Sequence, residues 1–368
     1  MIFCANPAAQ FYSYQDEIEE AILKVLRSNQ YILGPELNAF EKEFAGFINT
    51  KFAIGVANGT DALEIAIKSL DLKPEDEIIT VSHTAVATVS AIYSAGAIPV
   101  LVDVDSKFYT LDESQLNEVL TPKTKAIIAV HLYGQSANLD LLLKFCEANN
   151  LYLIEDVSQA HGAKWEGKRL GSVGHISCFS CYPTKNLGAI GDAGIICTNN
   201  LMLAEKVKML RQYGWKERYI SQSQGRNSRL DEIQASVLRI KLKYLDSDNR
   251  KRQKIAERYS NSLPKEYLFL PETRDQAEHV YHLYVVRIKN NQRDALIEYL
   301  KLNNIQTGIH YPLPIHCQPA YLDRIRRSGV MQVTEEIAGQ VLSLPIYPEL
   351  TKEEVDKVIL NIKSFFST

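Results

Sequence analysis

Lys185 lies in the turn Ser180-Cys181-Tyr182-Pro183-Thr184-Lys185-Asn186-Leu187-Gly188, shortly after an apolar run, Leu151-Tyr152-Leu153-Ile154, that closes on Glu155 and Asp156. Such a run reads as a buried parallel strand whose acid stands at the carboxyl end, where α/β sheets place their ligands. A turn bordered by Asn and Gly can present its lysine to the same crevice. Lysine forms Schiff bases with carbonyls, and an acid can keep a pyridine nitrogen protonated. Together they are the two groups a pyridoxal phosphate (PLP) site requires. Singly, each has an ordinary explanation: most lysines are solvated, and an Asp at a strand end often caps the next helix.

A second group of residues could hold an anion. Ala53-Ile-Gly-Val-Ala-Asn58-Gly59-Thr60-Asp61 reads as a strand, a small turn and a helix start. The free amides and positive dipole end of a helix N-terminus favour a phosphate. Gly59 would let the backbone come close, and Thr60 would add a hydroxyl. A plain capped turn, with Thr60 or Asp61 as N-cap, explains the same residues equally well. A third group, Gly308-Ile309-His310-Tyr311-Pro312-Leu313-Pro314-Ile315-His316, is a stiff polar loop, readable either as a rigid connector or as a substrate contact.

The elements that must position these groups follow from hydrophobic spacing. Ile18, Ala21, Ile22, Val25 and Leu26 predict a helix over about 15–28, and Leu37, Phe40, Phe44 and Phe47 a second. Short apolar runs follow at Ala53–Val56, Glu77–Val81, Pro99–Asp103, Ala126–Val130, Leu151–Glu155, Ile176–Cys181 and Ala193–Thr198, most of them separated by helical patterns. The expected fold is α/β, a large domain with a mainly parallel seven-stranded sheet covered on both faces. A helix is expected from Asp231 to Leu245, and the charged stretch Asp246–Arg252 reads as the exit from the large domain. A strand at His282–Ile288 and helices at Arg293–Leu302 and Glu353–Phe365 then make a smaller C-terminal α+β domain. The expected division is 1–248 and 249–368.

Composition is permissive. A chain of 368 residues with 46% hydrophobic and 23% charged content can bury a sizeable core, and a net charge of −3 gives no sign of a nucleic-acid binder. No apolar run approaches the roughly eighteen residues of a membrane helix. The start, Met1-Ile-Phe-Cys-Ala-Asn-Pro, lacks the pattern of a signal peptide. Six scattered cysteines, including Cys178 and Cys181 in one apolar strand, suggest neither a disulfide framework nor a metal site, and the expected location is a reducing cytoplasm.

Two long motifs carry a resemblance: E-D-x-x-Q-A-H-G-A, starting at Glu155, and Y-P-T-K-N-L-G-x-x-G-D-x-G, starting at Tyr182. With them the chain, from Tyr31 to Ile346, resembles the DegT/DnrJ/EryC1/StrS family of nucleotide-sugar aminotransferases, fold-type I PLP enzymes. The resemblance implies that Lys185 forms the Schiff base and acts as general base, and that Asp156 pairs with the pyridinium nitrogen. It implies further that Gln159 bonds the cofactor's phenolic oxygen and that Gly59, Thr60 and Ser180 hold its phosphate. His83 would lay a ring on the cofactor face, although as a lone residue it could equally be a polar loop residue. Asn227 would reach the phosphate of a neighbouring subunit, making a homodimer with shared active sites. His310, Tyr311 and His316, in H-Y-P-x-P-x-H, resemble the branch that aminates 3-keto sugars and would bind substrate. His83-Thr84 and Leu238–Leu242 resemble the same branch. The implied reaction moves an amino group from L-glutamate to a dTDP-linked 3-keto-6-deoxyhexose for a surface glycan or lipopolysaccharide, with a 4-keto acceptor as the alternative. Relatives that act as sugar dehydratases carry histidine in place of the lysine, and position 185 is Lys. A protein of this fold that only binds remains a rival, which the intact set Asp156, Gln159, Ser180 and Lys185 opposes. Cys181 stands where many relatives have Phe, leaving the packing beside the cofactor open.

Overall fold

A computed structural model describes residues 1–322 and 324–367. Its central sheet contains the seven expected strands: β1 (Phe52–Val56), β2 (Glu77–Val81), β3 (Ile98–Val102), β4 (Thr124–Val130), β5 (Tyr152–Asp156), β6 (Ile176–Ser180) and β7 (Gly194–Thr198). Their spatial order is β1-β7-β6-β5-β4-β2-β3. All neighbours run parallel except β7, which is antiparallel to both β1 and β6. Nearly every residue of these strands is buried, as expected of a sheet covered on both faces. Helices precede and thread it, among them α1 (Pro7–Ser13), α2 (Gln15–Arg27), α3 (Pro35–Ile48), α4 (Gly59–Ser69) and α5 (Val86–Ser94).

The sheet has an eighth strand that its sequence does not suggest. Arg326–Arg327 adds in parallel to β3. Two exposed arginines have no strand periodicity; the pairing comes from a segment distant in sequence, held by Arg326 Nη2 bonded to Glu77 (2.7 Å) and to the Val119 carbonyl (2.9 Å).

A second difference is the end of the long helix, expected at Leu245: the charged stretch Asp246–Arg252 does not break it. The stretch lies inside one continuous helix, Glu232–Ser262. The buried stripe Leu242, Leu245, Asp248, Asn249, Arg252, Ala256 and Tyr259 keeps helical spacing throughout. Its polar members are satisfied inside the protein. Tyr14 donates to Asp248 (2.9 Å), Asn249 donates to the His161 carbonyl (2.9 Å), and Arg252 donates to the Ile346 carbonyl (3.0 Å).

Two cores result. The larger surrounds the sheet and includes α3 and the first half of the long helix. The second joins Ile255 and Tyr259 of that helix to a three-stranded antiparallel sheet (Leu268–Phe269, Tyr284–Ile288, Val341–Leu344), to Leu296 and Leu300 of Arg293–Leu302, and to the helix Lys352–Ser367. Ile2 belongs to this second core, its N–H bonded to the Asn304 carbonyl at 2.8 Å. Among the described residues no helix is long and apolar enough to cross a membrane.

Candidate active site

The site forms at the carboxyl ends of the parallel strands, around a cavity of about 530 Å³ lined by Gly59, Thr60, Asp156, Gln159, Ser180 and Lys185, among others. Six predicted residues thus meet in one place.

Its phosphate side is the start of α4. Asn58 caps the helix, its Oδ1 accepting from the Asp61 N–H at 2.8 Å. The first amides of a helix have no intrahelical acceptor, so Gly59 and Thr60 are available to an anion. Glycine is required at 59 because a Cβ there would lie 2.5 Å from Cβ of Ser180. The close fit brings the Ser180 hydroxyl to the helix end.

The acid is held by two neutral donors. Thr88 Oγ1 donates to Asp156 Oδ2 at 3.0 Å, and the Ser158 N–H donates to Oδ1 at 3.2 Å. Its neighbour Glu155, pointing the other way by strand alternation, is fully buried. Glu155 accepts from the N–H groups of Gly171, Val173 and Gly174 and from His131 Nε2 (3.2 Å). Burial alone would raise its pKa, but the His131 bond and the backbone donors hold it below the ordinary value.

Lys185 is fixed by a turn, its N–H donating to the Tyr182 carbonyl at 2.8 Å. Desolvation lowers its amine to about 8, with Asp156 opposing. About a tenth is therefore neutral at pH 7, the form that can attack a carbonyl or take a proton. Three imidazoles sense its charge. Burial first, and Lys185 second, lower His161 to about 3 and His310 to about 4, and push His282 well below its ordinary value. All three are neutral at pH 7.

These residues fit PLP. Among the described residues, no arginine or lysine hydrogen-bonds to Asp156, so a protonated ring nitrogen would meet an acid without a cationic bonding partner. Lys185 shares the cavity, and the Gly59–Ser180 contact makes a cradle at its phosphate end.

Comparison with known proteins agrees. The sequence matches the DegT/DnrJ/EryC1/StrS aminotransferase family over residues 13–363. It is 46% identical over 346 residues to the dTDP-3-amino-3,6-dideoxy-alpha-D-galactopyranose transaminase of Aneurinibacillus thermoaerophilus, covering 94% of each chain. It is 39% identical to a UDP-N-acetyl-3-dehydro-alpha-D-glucosamine 3-aminotransferase of Acidithiobacillus ferrooxidans, covering 96% of this chain and 95% of that one. The crystal structure of S. venezuelae DesV in complex with a ketimine intermediate superposes with a TM-score of 0.96 at 40% identity, over 100% of this chain and 99% of that one. The chain belongs to this family. It is a PLP-dependent aminotransferase.

The remaining predicted residues of the aminotransferase lie outside the cavity lining. His83 is 1% exposed, and its Nε2 meets the Tyr133 hydroxyl at 2.7 Å. Tyr311 reaches the site indirectly, its hydroxyl accepting from Gln159 Nε2 at 3.0 Å. The His310 ring bonds Ser343 Oγ at 2.9 Å, and its carbonyl accepts from the Tyr133 hydroxyl. His316 is buried between Ser82 Oγ (2.7 Å) and Glu335 (3.0 Å), so in this arrangement it fastens the loop to the end of β2 and does not face the cavity. Asn227 is exposed and bridges Gln212, and its neighbour Ser228 accepts from the Ala57 N–H at 3.0 Å, one residue past β1. Arg226, the residue before Asn227, pairs with Asp61 and Glu64 of α4. Cys181 packs into the core. Thr88 and Tyr133 were not singled out from sequence: a threonine on an apolar helix and a tyrosine after an apolar strand carry no spacing signal.

Proposed function

We propose that the aminotransferase moves an amino group from L-glutamate to a nucleotide-linked 3-keto sugar, with a dTDP-3-keto-6-deoxyhexose as the first choice of acceptor. The observation that carries the reading is the convergence of Lys185, Asp156 and Gln159 on one cavity whose lysine is lowered to about 8. The transaminase from A. thermoaerophilus supports the sugar class. A UDP-linked 3-keto sugar is the second reading, favoured by the similarity to the A. ferrooxidans enzyme.

PLP, when bound, supplies an electron-withdrawing ring that carries the amino group between donor and acceptor. In our reading Lys185 Nζ takes the proton from the α-carbon of glutamate and later returns a proton to the former carbonyl carbon of the sugar. Asp156, oriented by Thr88 and Ser158, faces the ring nitrogen. Gln159 donates to the phenolic oxygen. Gly59, Thr60 and Ser180 hold the phosphate by their N–H and hydroxyl groups, and Asn227 extends to the phosphate of a second subunit in a homodimer. His83 would lie behind the cofactor face, and the loop of His310 and Tyr311, fastened by His316, would meet the sugar. We place the enzyme in the cytoplasm, supplying an amino sugar to a surface glycan, and divide the chain into two domains within the long helix.

The test is conversion of glutamate to 2-oxoglutarate by purified, PLP-loaded protein given dTDP-3-keto-, dTDP-4-keto- and UDP-3-keto sugars separately. Turnover with a 3-keto sugar alone is expected. Turnover with only the 4-keto sugar overturns the regiochemistry, and turnover with only the UDP sugar overturns the nucleotide.

A further inference from the structure

Tyr133, in His131-Leu132-Tyr133-Gly134, uses every polar group it has at the junction of the site and the C-terminal region. Its N–H donates to Gln159 Oε1 at 2.8 Å. Its carbonyl accepts from the Leu283 N–H at 3.2 Å. Its hydroxyl donates to the His310 carbonyl and also meets His83 Nε2 at 2.7 Å. The side chain is 2% exposed, and the residue sits at φ 61, ψ −3, the left-handed region that a bulky residue enters only when its surroundings impose it. Gly134 follows at φ 112, where a Cβ would lie 2.8 Å from the His282 nitrogen. The turn is built to bring these segments together.

The hydrogen count around the phenol fixes one more thing. A carbonyl can only accept, so the single phenolic hydrogen goes to His310. The oxygen is then an acceptor toward His83, and Nε2 of that ring must be the protonated nitrogen. His83 Nδ1 is left as the bare nitrogen, and it has no partner among the described residues. Burial lowers His83 to about 4, so the ring is neutral. Gln159 follows the same logic. With Oε1 held by the Tyr133 N–H, its amide nitrogen is turned to Tyr311, and its second hydrogen stays free.

We propose that Tyr133 is a positioning residue that sets the His310–Tyr311 loop against Gln159 and holds His83 in its Nε2–H tautomer. Orientation of the amide, register of the loop and tautomer of the imidazole then form one arrangement. Loss of the phenol releases the loop and the ring, while the backbone bond to Gln159 remains. Lys185 and Asp156 keep their own hydrogen bonds, because Tyr133 contacts neither of them through any of these bonds.

Two measurements test this. The first is 15N NMR of the histidine rings in the cofactor-free protein, with His83→Asn identifying the signals of residue 83. A protonated Nε2 and a bare Nδ1 are expected at pH 7 in the wild type, with the preference lost in Tyr133→Phe. A protonated Nδ1 in the wild type overturns the proposal even if the variant does not fold, and so does an unchanged spectrum in a folded variant. The second compares half-reactions, and this arm rests on the keto-sugar reading. Tyr133→Phe is expected to raise KM for the keto sugar roughly tenfold, as for loss of one hydrogen bond. The single-turnover rate with glutamate is expected to stay within about threefold of wild type. An equal loss in both halves overturns the loop-positioning role. If the wild type rejects every keto sugar offered, the substrate reading fails while the NMR result still decides for or against Tyr133.

Discussion

The floor of the site and the loop above it are built in opposite ways. In the floor, Asp156, Gln159, Ser180 and Lys185 come from one stretch of β5, β6 and the turns that follow them. Bonds such as Lys185 N–H to Tyr182 and Ser158 N–H to Asp156 are short-range. The loop His310–His316 arrives from far along the chain. Its ties to the floor span 177 residues at Tyr133, 152 at Gln159 and 234 at Ser82. The floor carries groups whose chemistry is the same for any amino acceptor, and its geometry is fixed by local backbone. The loop meets it through side-chain bonds such as Gln159 to Tyr311, and none of these ties involves the lysine or the acid.

Removing the floor's lysine should give the largest effect. Lys185→Ala is expected to lower turnover by about 10³-fold or more, the scale of a lost general base, while the folded protein still binds pyridoxamine phosphate. Single-turnover kinetics and a binding titration check both halves of that statement. Retained turnover would sink the assignment.

Next comes the support beneath the floor. His131→Ala leaves Glu155 buried with its three N–H donors but no imidazole, and should cost about 3 kcal/mol in urea denaturation. A cost below about 1 kcal/mol would mean that the backbone donors alone hold the carboxylate.

A smaller change should follow from Thr88→Val, which keeps the shape and removes one donor to Asp156. Roughly a tenfold loss in kcat/KM is expected, with Thr88→Ser recovering most of it. The same loss in the serine variant would assign the effect to packing.

The lysine also has a pH signature in the cofactor-free protein. Its folded value of about 8 lies below the unfolded value of about 10.4, so the unfolded chain binds more protons between them. The destabilisation it causes is complete below pH 8 and fades as pH rises toward 10.4. Lys185→Met should therefore be more stable than wild type at pH 7, with the gap closing across that window. A pH-independent gap would contradict the lowered value.

The smallest effect is expected at the rim. Asn227→Ala should weaken PLP retention by a few fold, at a residue whose own chain leaves it exposed. Unchanged affinity, measured by dialysis against PLP, would count against sharing of the site between subunits.

Much of the floor was legible before any coordinates. The apolar run closing on Asp156, and the Asn- and Gly-bordered turn around Lys185, state the local geometry in their residue types. The strands were legible for the same reason, because burial on both faces demands continuous apolar runs. The long helix was expected to end at Leu245, since the charged run Asp246–Arg252 shows no apolar period until the partners of its polar residues are known. Asp248 finds Tyr14, and Arg252 finds Ile346. Thr88 and Tyr133 were silent for a related reason: a hydroxyl carries no periodicity, and its value depends on what stands opposite.

By itself, then, the sequence determined seven strands of the sheet, because continuous apolar runs state burial locally, and through its two long motifs it determined the family and with it the cofactor. Only the tertiary structure decided the eighth strand, the burial of His316 between Ser82 and Glu335, and the meeting of Tyr133 with His83 and His310. Those depend on hydrogen bonds between segments up to 249 residues apart, and a donor's partner across separate segments is chosen by packing, which no local pattern encodes.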